Sequence, residues 1–237
     1  LDDNYVIYTE FSEEGHFWLH LYCVRPAENL RQCLDCGTAA IFFSATLLPV
    51  NYYKDLLTGN LEDYAVYAKS PFDPANRLLL VGTDVSSRYS RRGAVEYKRM
   101  ARYIYETVTV KTGNYLVFAP SYQVMEQVAD RCVAYEDMEC IRQESGMEEE
   151  EREAFLKKFE KERNHSLVGF CVMGGIFSEG IDLTNEKLIG TLIIGTGLPQ
   201  VCNEREILKS YFDQKGLYGF DYAYRYPGMN KVLQAAG

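Results

Sequence analysis

The sequence lacks the segments that attach a protein to a membrane or direct it out of the cell. No run of about 18 consecutive apolar residues occurs, and a helix that spans a bilayer needs about that many. Residues 1–4 contain neither a basic start nor an apolar stretch, so we expect no signal peptide and no membrane partner. An initiator methionine is also missing, and we expect the sequence to be a piece of a longer chain.

A disulfide framework is lacking as well. The seven cysteines are odd in number and scattered, at positions 23, 33, 36, 132, 140, 171 and 202. Four of them lie within or beside apolar runs, where a free thiol behaves as a small hydrophobic side chain, and this pattern favours a reducing cytoplasm. Cys33 and Cys36 have the spacing of a metal pair, but further ligands would have to come from Cys23 and His20. We interpret Cys33 and Cys36 as buried helical thiols and expect no metal.

Positive charge is in deficit, with 25 Lys and Arg against 34 Asp and Glu and a net charge of −9. This argues weakly against a nucleic-acid partner, because phosphates are neutralised by Lys and Arg. The charge is unevenly distributed, however, with acid concentrated at 144–153 and base at 86–102. Within the basic segment, Arg88, Arg91 and Arg92 beside Tyr89 are candidates for positioning phosphates and stacking on bases. A solvated turn before a helix is the alternative.

Apolar patterning predicts an α/β fold. Aromatic and β-branched residues at 4–11 and 16–24 predict a β-hairpin, and the apolar run 38–47 predicts a strand buried on both faces. Strands and helices then alternate, which predicts a mainly parallel sheet with helices on both faces and ligands at the carboxyl ends of its strands. The predicted elements are helix 93–111, strand 115–118, helix 121–133, strand 138–142, a helix capped by Ser145 and Glu148, strand 167–173, strand 188–194 and helix 202–214.

Four short segments are predicted to follow strands directly. They read SATL at 44–47, FAPSY at 118–122, GGIFSEGIDL at 174–183 and PGMNKVLQAAG at 227–237. In this order they resemble helicase motifs III, IV, V and the start of VI in the DinG/XPD group of superfamily-2 DNA helicases. The resemblance covers nearly the whole chain from about residue 38. It implies the second motor domain of such a helicase, a RecA-like domain of the P-loop type, with ATP held between two such domains and single-stranded DNA running across both.

The resemblance also implies roles for the residues of motif V and of the start of motif VI. Ser178 would face the nucleic acid, Gly180 and Asp182 would reach the ribose or the hydrolytic water network of ATP, and Glu179 would link these two sides. Gln234 is the retained catalytic side chain of motif VI, and Gly237 would lie at the nucleotide. A simple turn between two buried strands, with Asp182 capping it, is the alternative for residues 174–183.

Hydroxyl and aromatic side chains mark the other two motifs. Ser44 and Thr46 are small enough to relay hydrogen bonds between the ATP site and the DNA, or they merely end a strand. Ser121 can bind a phosphate, can cap the helix that follows, or can do both. The ring of Tyr122 can stack on a base.

Several parts of a complete ATPase are absent from the sequence. It contains no GxxxxGK[ST] loop to hold phosphates and Mg²⁺, and no Asp-Glu-Ala-His-like segment. The arginines that follow motif VI in the family, and that act on the γ-phosphate of ATP, are also absent. We therefore expect ATP and Mg²⁺ to be bound by the full-length enzyme and not by this segment alone. The iron–sulfur cluster of many XPD relatives is expected outside this segment.

The resemblance suggests two parts. Residues 1–47 would be the trailing segment of the first motor domain or its hinge, with exposed apolar edges, and residues 48–237 would be the second motor domain. Single-stranded DNA and the first motor domain of the same chain would be the partners. One alternative is a non-catalytic nucleic-acid-binding or docking domain on a degenerate RecA fold. Another is a small-molecule enzyme, which is disfavoured because no GxGxxG fingerprint and no nucleophile–His–acid set are present.

Overall fold

The computed structural model describes residues 3–178 and 181–236, and the chain folds into two compact units. The first unit comprises Leu1–Asn76 and Pro199–Asn230, and the second comprises Arg77–Leu198 and Lys231–Gly237. The boundary that we expected after residue 47 does not coincide with this division, because residues 48–76 group with the first unit. The assignment of residues 1–47 to a first motor domain stays a prediction.

In chain order the strands and α-helices are β1 Tyr5–Phe11, β2 Phe17–Cys23, α1 Ala27–Leu34, α2 Val50–Leu57, α3 Ala94–Val110, β3 Asn114–Ala119, α4 Tyr122–Cys132, β4 Met138–Arg142, α5 Glu149–Lys157, β5 Ser166–Val172, β6 Gly190–Ile193, α6 Asn203–Gln214 and α7 Tyr226–Ala236. None of the helices in the described parts of the chain is long and apolar enough to cross a membrane.

The first unit is built on the predicted hairpin. Strands β1 and β2 pair antiparallel from Tyr5 opposite Cys23 to Phe11 opposite Phe17. Gly15 lies in the connecting turn with φ +83°, a conformation that favours glycine. The core of this unit is an apolar cluster in which Val24 and two residues of α6, Tyr211 and Phe212, are buried.

The second unit contains the predicted parallel sheet. Its strand order is β4-β5-β3-β6, and every neighbouring pair is parallel. Successive residues of a strand face opposite sides of a sheet. Tyr115, Val117 and Ala119 accordingly pack with α3 and α4, whereas Leu116 and Phe118 pack with α5 and with Ala235 of α7. The predicted α/β fold with helices on both faces is confirmed.

The strand predicted at 38–47 is wrong. This segment is irregular, and the side chains of Ile41 and Phe43 are 86% and 88% exposed. A strand requires a neighbour that accepts and donates its backbone hydrogen bonds, and no strand in the described residues pairs with this segment. Apolar side chains are exposed here, but not along the edge of a strand as we expected.

One local prediction also needs correction. Helix α5 is capped by Glu148, in a capping box with Glu151, and not by Ser145. Gly146 explains the difference, because its φ of +77° ends any helical path that would start at Ser145. Tyr222, Tyr224 and Tyr226 all lie in helical segments.

A π-helical turn, Asp221–Arg225, leads into α7 and contains two of these tyrosines. Pro227 has no backbone N–H, so it cannot donate the helical hydrogen bond to the carbonyl of Ala223. That carbonyl instead accepts from Arg205 Nη1 at 3.2 Å. The rings of Tyr222 and Tyr226 pack on Tyr52 at centroid distances of 5.3 and 5.0 Å, so these two tyrosines contribute to packing.

Candidate functional site at the carboxyl edge of the parallel sheet

The carboxyl ends of β3 and β5 lie side by side at one edge of the sheet. The backbone N–H of Met173, just past β5, donates to the carbonyl of Ala119, the last residue of β3, at 2.9 Å. The segments that follow these strands, 120–122 and 174–178, therefore begin as neighbours. These segments carry the resemblance to motifs IV and V, so the structure brings the two motifs together.

The segment after β3 caps a helix and exposes an aromatic ring. Ser121 is the N-cap of α4, and its hydroxyl accepts a hydrogen bond from Val124 N at 3.4 Å. The capping role predicted for Ser121 is confirmed, and its role in binding phosphate stays a prediction. Tyr122 is 37% exposed, and its hydroxyl accepts a hydrogen bond from Gln143 Nε2 at 2.8 Å. This hydrogen bond restrains the orientation of an aromatic side chain that is partly exposed.

Gln143 belongs to this edge, although no motif in the sequence pointed to it. It follows β4 directly, and its side chain is buried. The side-chain oxygen Oε1 of Gln143 accepts a hydrogen bond from the backbone N–H of Val172, the last residue of β5, at 3.0 Å. Its position immediately after a predicted strand is the signal that would have identified it.

The loop after β5 is closed by its own serine. Gly174 has φ +72°, and its N–H donates to Ser178 Oγ at 2.7 Å. The same hydroxyl donates to the carbonyl of Val172 at 3.3 Å, and Ser178 is buried. In this conformation Ser178 stabilises the loop, and its assignment to nucleic-acid binding stays a prediction.

Helix α7 brings motif VI residues to the same loop. A Cβ added to Gly174 would lie 3.0 Å from Lys231 Cε, so the aliphatic part of Lys231 covers this glycine. Gln234 lies one turn further along α7 and is half-buried beside Ala235, which is part of the core. Lys231 was not predicted as a site residue. A single lysine in an apolar helix does not indicate from the sequence which residues its side chain contacts.

Several predicted site residues are not found at the carboxyl edge of the sheet. Glu179, Gly180 and Gly237 lie outside the described residues. Asp182 is exposed. The pKa of Lys187 is raised, mainly by its hydrogen bond to Glu160, and the charge of Asp182 adds to this effect. Across the described parts of the chain no hydrogen bond or ion pair links Asp182 to Ser121, Tyr122 or Ser178, and its role in catalysis and ATP binding stays a prediction.

The basic segment 86–92 lies at the end of β6. A Cβ on Gly195, just past β6, would collide with the side chain of Ser87, so the two segments touch. Arg91 pairs with the buried carboxylate of Glu96, and this bond holds the pKa of Glu96 below its usual range. Arg92 donates to the carbonyl of Ser87 at 3.2 Å, and its guanidinium lies 5.5 Å from the ring centre of Tyr89.

Arg91 and Arg92 thus hold the basic segment in shape. Arg88 is exposed, and no hydrogen bond or ion pair of its side chain occurs among the described residues, so its guanidinium is available to a phosphate. The assignment of all three arginines to nucleic-acid binding stays a prediction.

The predicted coupling residues lie in the first unit. Ser44 Oγ and Thr46 Oγ1 are 3.3 Å apart, and Thr46 N donates to Ser44 Oγ at 3.2 Å. These bonds shape a turn, Ala45–Thr46, where a strand end was expected. Their proposed relay between ATP and DNA stays a prediction.

The burial of the cysteines differs in part from our expectation. Cys33 and Cys36 are both exposed, so their interpretation as buried thiols is wrong. Cys132 and Cys171 are buried, and burial raises the pKa of the Cys132 thiol to about 12. Among the residues that the structure describes, no group of three or more His, Cys, Asp or Glu side chains is arranged to hold a metal ion.

Comparison with known proteins shows the family to which the chain belongs. The family described as "Helicase C-terminal domain" matches residues 104–237, which is more than half of the chain. The chain therefore belongs to the helicase C-terminal domain family, and within it to the DinG/XPD type of superfamily 2.

Its relatives include two curated helicases. The ATP-dependent DNA helicase XPD of Sulfolobus acidocaldarius is 27% identical over 161 residues, which is 66% of this chain and 28% of the relative. The ATP-dependent DNA helicase CHL1 of Vanderwaltozyma polyspora is 22% identical over 222 residues, which is 85% of this chain and 26% of the relative. The chain thus spans about a quarter of the length of these relatives.

Two solved structures share the fold. They are described as XPD apo and XPD helicase, and they match 92% of this chain with TM-scores of 0.68 and 0.65. Sequence identity is 21% and 20%, and this chain covers 44% and 39% of theirs. At this identity the likeness is one of fold.

Proposed function

We propose that this chain is the second RecA-like motor domain of an ATP-dependent DNA helicase that moves along single-stranded DNA in the 5′-to-3′ direction in the cytoplasm. In the full-length protein it works with the first motor domain of the same chain, and ATP lies between the two. The direction of movement rests on the DinG/XPD type, and the use of ATP and DNA rests on relatives that are ATP-dependent DNA helicases.

One observation carries the proposal, namely the meeting of three motif segments at the carboxyl edge of the sheet. The segments after β3 and β5 are joined by the 2.9 Å bond from Met173 N to Ala119 O. Lys231 of α7 covers Gly174 in the second of these segments. Open α/β sheets bind their ligands at this edge, so the segments lie where a motor domain needs them.

The groups at this edge fit an anion better than a cation. The ammonium of Lys231 brings positive charge to the glycine pair at 174–175, whose backbone N–H groups donate to Ser178 Oγ and to the carbonyl of Val172 in this conformation. Mg²⁺ prefers carboxylate and phosphate oxygens. We therefore assign Mg²⁺ to ligands of the first motor domain and to ATP itself, and we assign phosphate contacts to this domain.

The test is ATP hydrolysis by the full-length protein, with and without single-stranded DNA. We expect single-stranded DNA to stimulate hydrolysis, and Asp182→Ala and Lys231→Ala each to lower the stimulated rate by at least about tenfold. Asp137→Ala is the matched control, because Asp137 is exposed and precedes β4 at the opposite edge of the sheet. If single-stranded DNA does not stimulate ATP hydrolysis by the wild-type protein, the proposal is wrong. Full activity of Asp182→Ala would remove that residue from the site.

A further inference from the structure

Gln143 is the most deeply buried polar side chain among the described residues, at 2% exposure. It lies one residue beyond β4, where the chain leaves the sheet towards α5. A buried primary amide is costly unless its hydrogen-bonding groups find partners, so its bonds define what it does.

The amide of Gln143 continues the sheet beyond the end of β4. Its backbone N–H donates to Phe170 O at 2.8 Å, as the next step of the ladder between β4 and β5. At the following step the backbone has left the sheet, and the side-chain oxygen accepts from Val172 N instead, at 3.0 Å. Because Val172 N is a donor, the amide oxygen must face it. The amide nitrogen must then face Tyr122, where it donates to the hydroxyl at 2.8 Å.

The same amide supports the glycine loop. A Cβ on Gly175 would lie 3.1 Å from Gln143 Nε2 and 3.0 Å from the carbonyl of Val172. The backbone at Gly175 therefore rests closely on the amide, and only a glycine fits there without displacing it. One side chain thus contacts both the segment after β3 and the segment after β5.

The bond to Tyr122 fixes how that ring is exposed. Its hydroxyl accepts a hydrogen bond from the buried amide of Gln143, while Tyr122 as a whole is 37% exposed. An aromatic face binds a nucleobase by stacking, and stacking depends on the orientation of the ring.

We infer that Gln143 is a positioning residue that fixes the ring of Tyr122 for stacking against a base of single-stranded DNA. This inference rests on the proposed function, because it assigns a partner to the motif IV ring. It adds a residue outside the recognised motifs and states how that residue acts, through one hydrogen bond to the tyrosine hydroxyl.

The test uses the full-length protein and DNA-stimulated ATP hydrolysis. Gln143→Met keeps the length of the side chain and removes both of its side-chain hydrogen bonds. Tyr122→Phe removes only the hydrogen bond between Gln143 and the tyrosine hydroxyl, and it keeps the ring. We expect each variant to raise the half-saturating concentration of single-stranded DNA about fivefold, which corresponds to one hydrogen bond of ordinary net strength. We expect kcat at saturating DNA and KM for ATP to stay within about twofold of the wild type, since the change acts on a DNA contact.

The double variant distinguishes positioning from general loss of structure. If both substitutions remove the same bond, the double variant is also about fivefold weaker, and not about 25-fold. Tyr122→Ala removes the ring itself and is expected to weaken binding more than about tenfold. Gln123→Met is the matched control, because Gln123 is exposed on the same helix next to Tyr122.

The outcomes separate the two proposals. Wild-type DNA affinity in Tyr122→Phe, or independent effects that multiply in the double variant, overturns the positioning role and leaves the proposed function standing. Absence of DNA-stimulated hydrolysis in the wild type overturns the proposed function and this inference together. Tyr122→Phe keeps the test decisive even if Gln143→Met fails to fold, because that substitution removes one hydroxyl and keeps the ring.

Discussion

Phe177 is the anchor of the loop after β5, and its removal has a calculable cost. Its side chain is 1% exposed, and its ring centre lies 4.4 Å from that of Phe155 on α5. Truncation of a phenylalanine in a packed core costs about 3–5 kcal/mol, since the transfer free energy is lost and a cavity remains. The partner Phe155 belongs to the same buried cluster, so we expect Phe177→Ala to lie in this range.

The assay is equilibrium unfolding in urea followed by circular dichroism. The single tryptophan, Trp18, lies in the hairpin of the first unit, so its fluorescence would not report on this cluster. Ile176→Ala is the control, because Ile176 is the preceding residue and is 40% exposed, and we expect it to cost less than about 1 kcal/mol. If Phe177→Ala costs no more than Ile176→Ala, the loop is not anchored by this ring and the packing argument is refuted.

Two further predictions concern a helix cap and an acid-sensitive bond. Ser121→Ala should lower the free energy of unfolding by about 1 kcal/mol through loss of the N-cap, whereas Ser121→Asp, which keeps a capping oxygen, should cost less, as urea unfolding would show. The hydroxyl of Tyr8 donates to Glu204 at 2.6 Å and, as the main cause, lowers the pKa of that carboxyl from 4.5 to about 2. A lowered pKa means that this bond stabilises the folded chain above pH 4.5, and that its contribution is lost as the pH falls towards 2. Tyr8→Phe should therefore show a shallower loss of stability across this pH window in urea midpoints, and an unchanged slope would contradict the assignment.

The repeating patterns of the sequence were sufficient to predict the strands of the parallel sheet and the helices beside it. Tyr97, Met100, Ile104 and Val108 recur at helical spacing, and all are buried on the face of α3 that packs on the sheet. Periodicity predicts burial because each period matches one geometry, 3.6 residues for a helix and two for a strand. The alternation of strands and helices then predicts parallel pairing, which puts the carboxyl ends of the strands along one edge of the sheet.

Two of the failures share a physical cause, which is dependence on a partner distant in sequence. Residues 38–47 have the composition of a strand, but pairing requires another strand, and composition does not supply one. Gln143 shows no periodicity, and its function depends on Tyr122 and Val172, which come from two other strand ends. The capping error was local, since Glu148 and Ser145 both fit a capping pattern and the left-handed glycine at 146 decides between them.

The polar groups at the carboxyl edge fall into two classes with different consequences. Ser121, Ser178 and Gln143 direct their hydrogen bonds inward, to backbone groups at the strand ends or to a neighbouring side chain. The ring of Tyr122 and the ammonium of Lys231 are different, since no hydrogen bond or ion pair of that ammonium occurs within residues 3–178 and 181–236. Substitution of an inward residue should change stability and the orientation of its neighbours. Substitution of Tyr122 should change affinity and also stability, because its hydroxyl is the partner of the buried amide of Gln143, whereas substitution of Lys231 should change affinity at nearly constant stability. Unfolding and DNA-binding measurements on the same variants would therefore separate the two classes, and a variant such as Gln143→Met, which should change both, connects them.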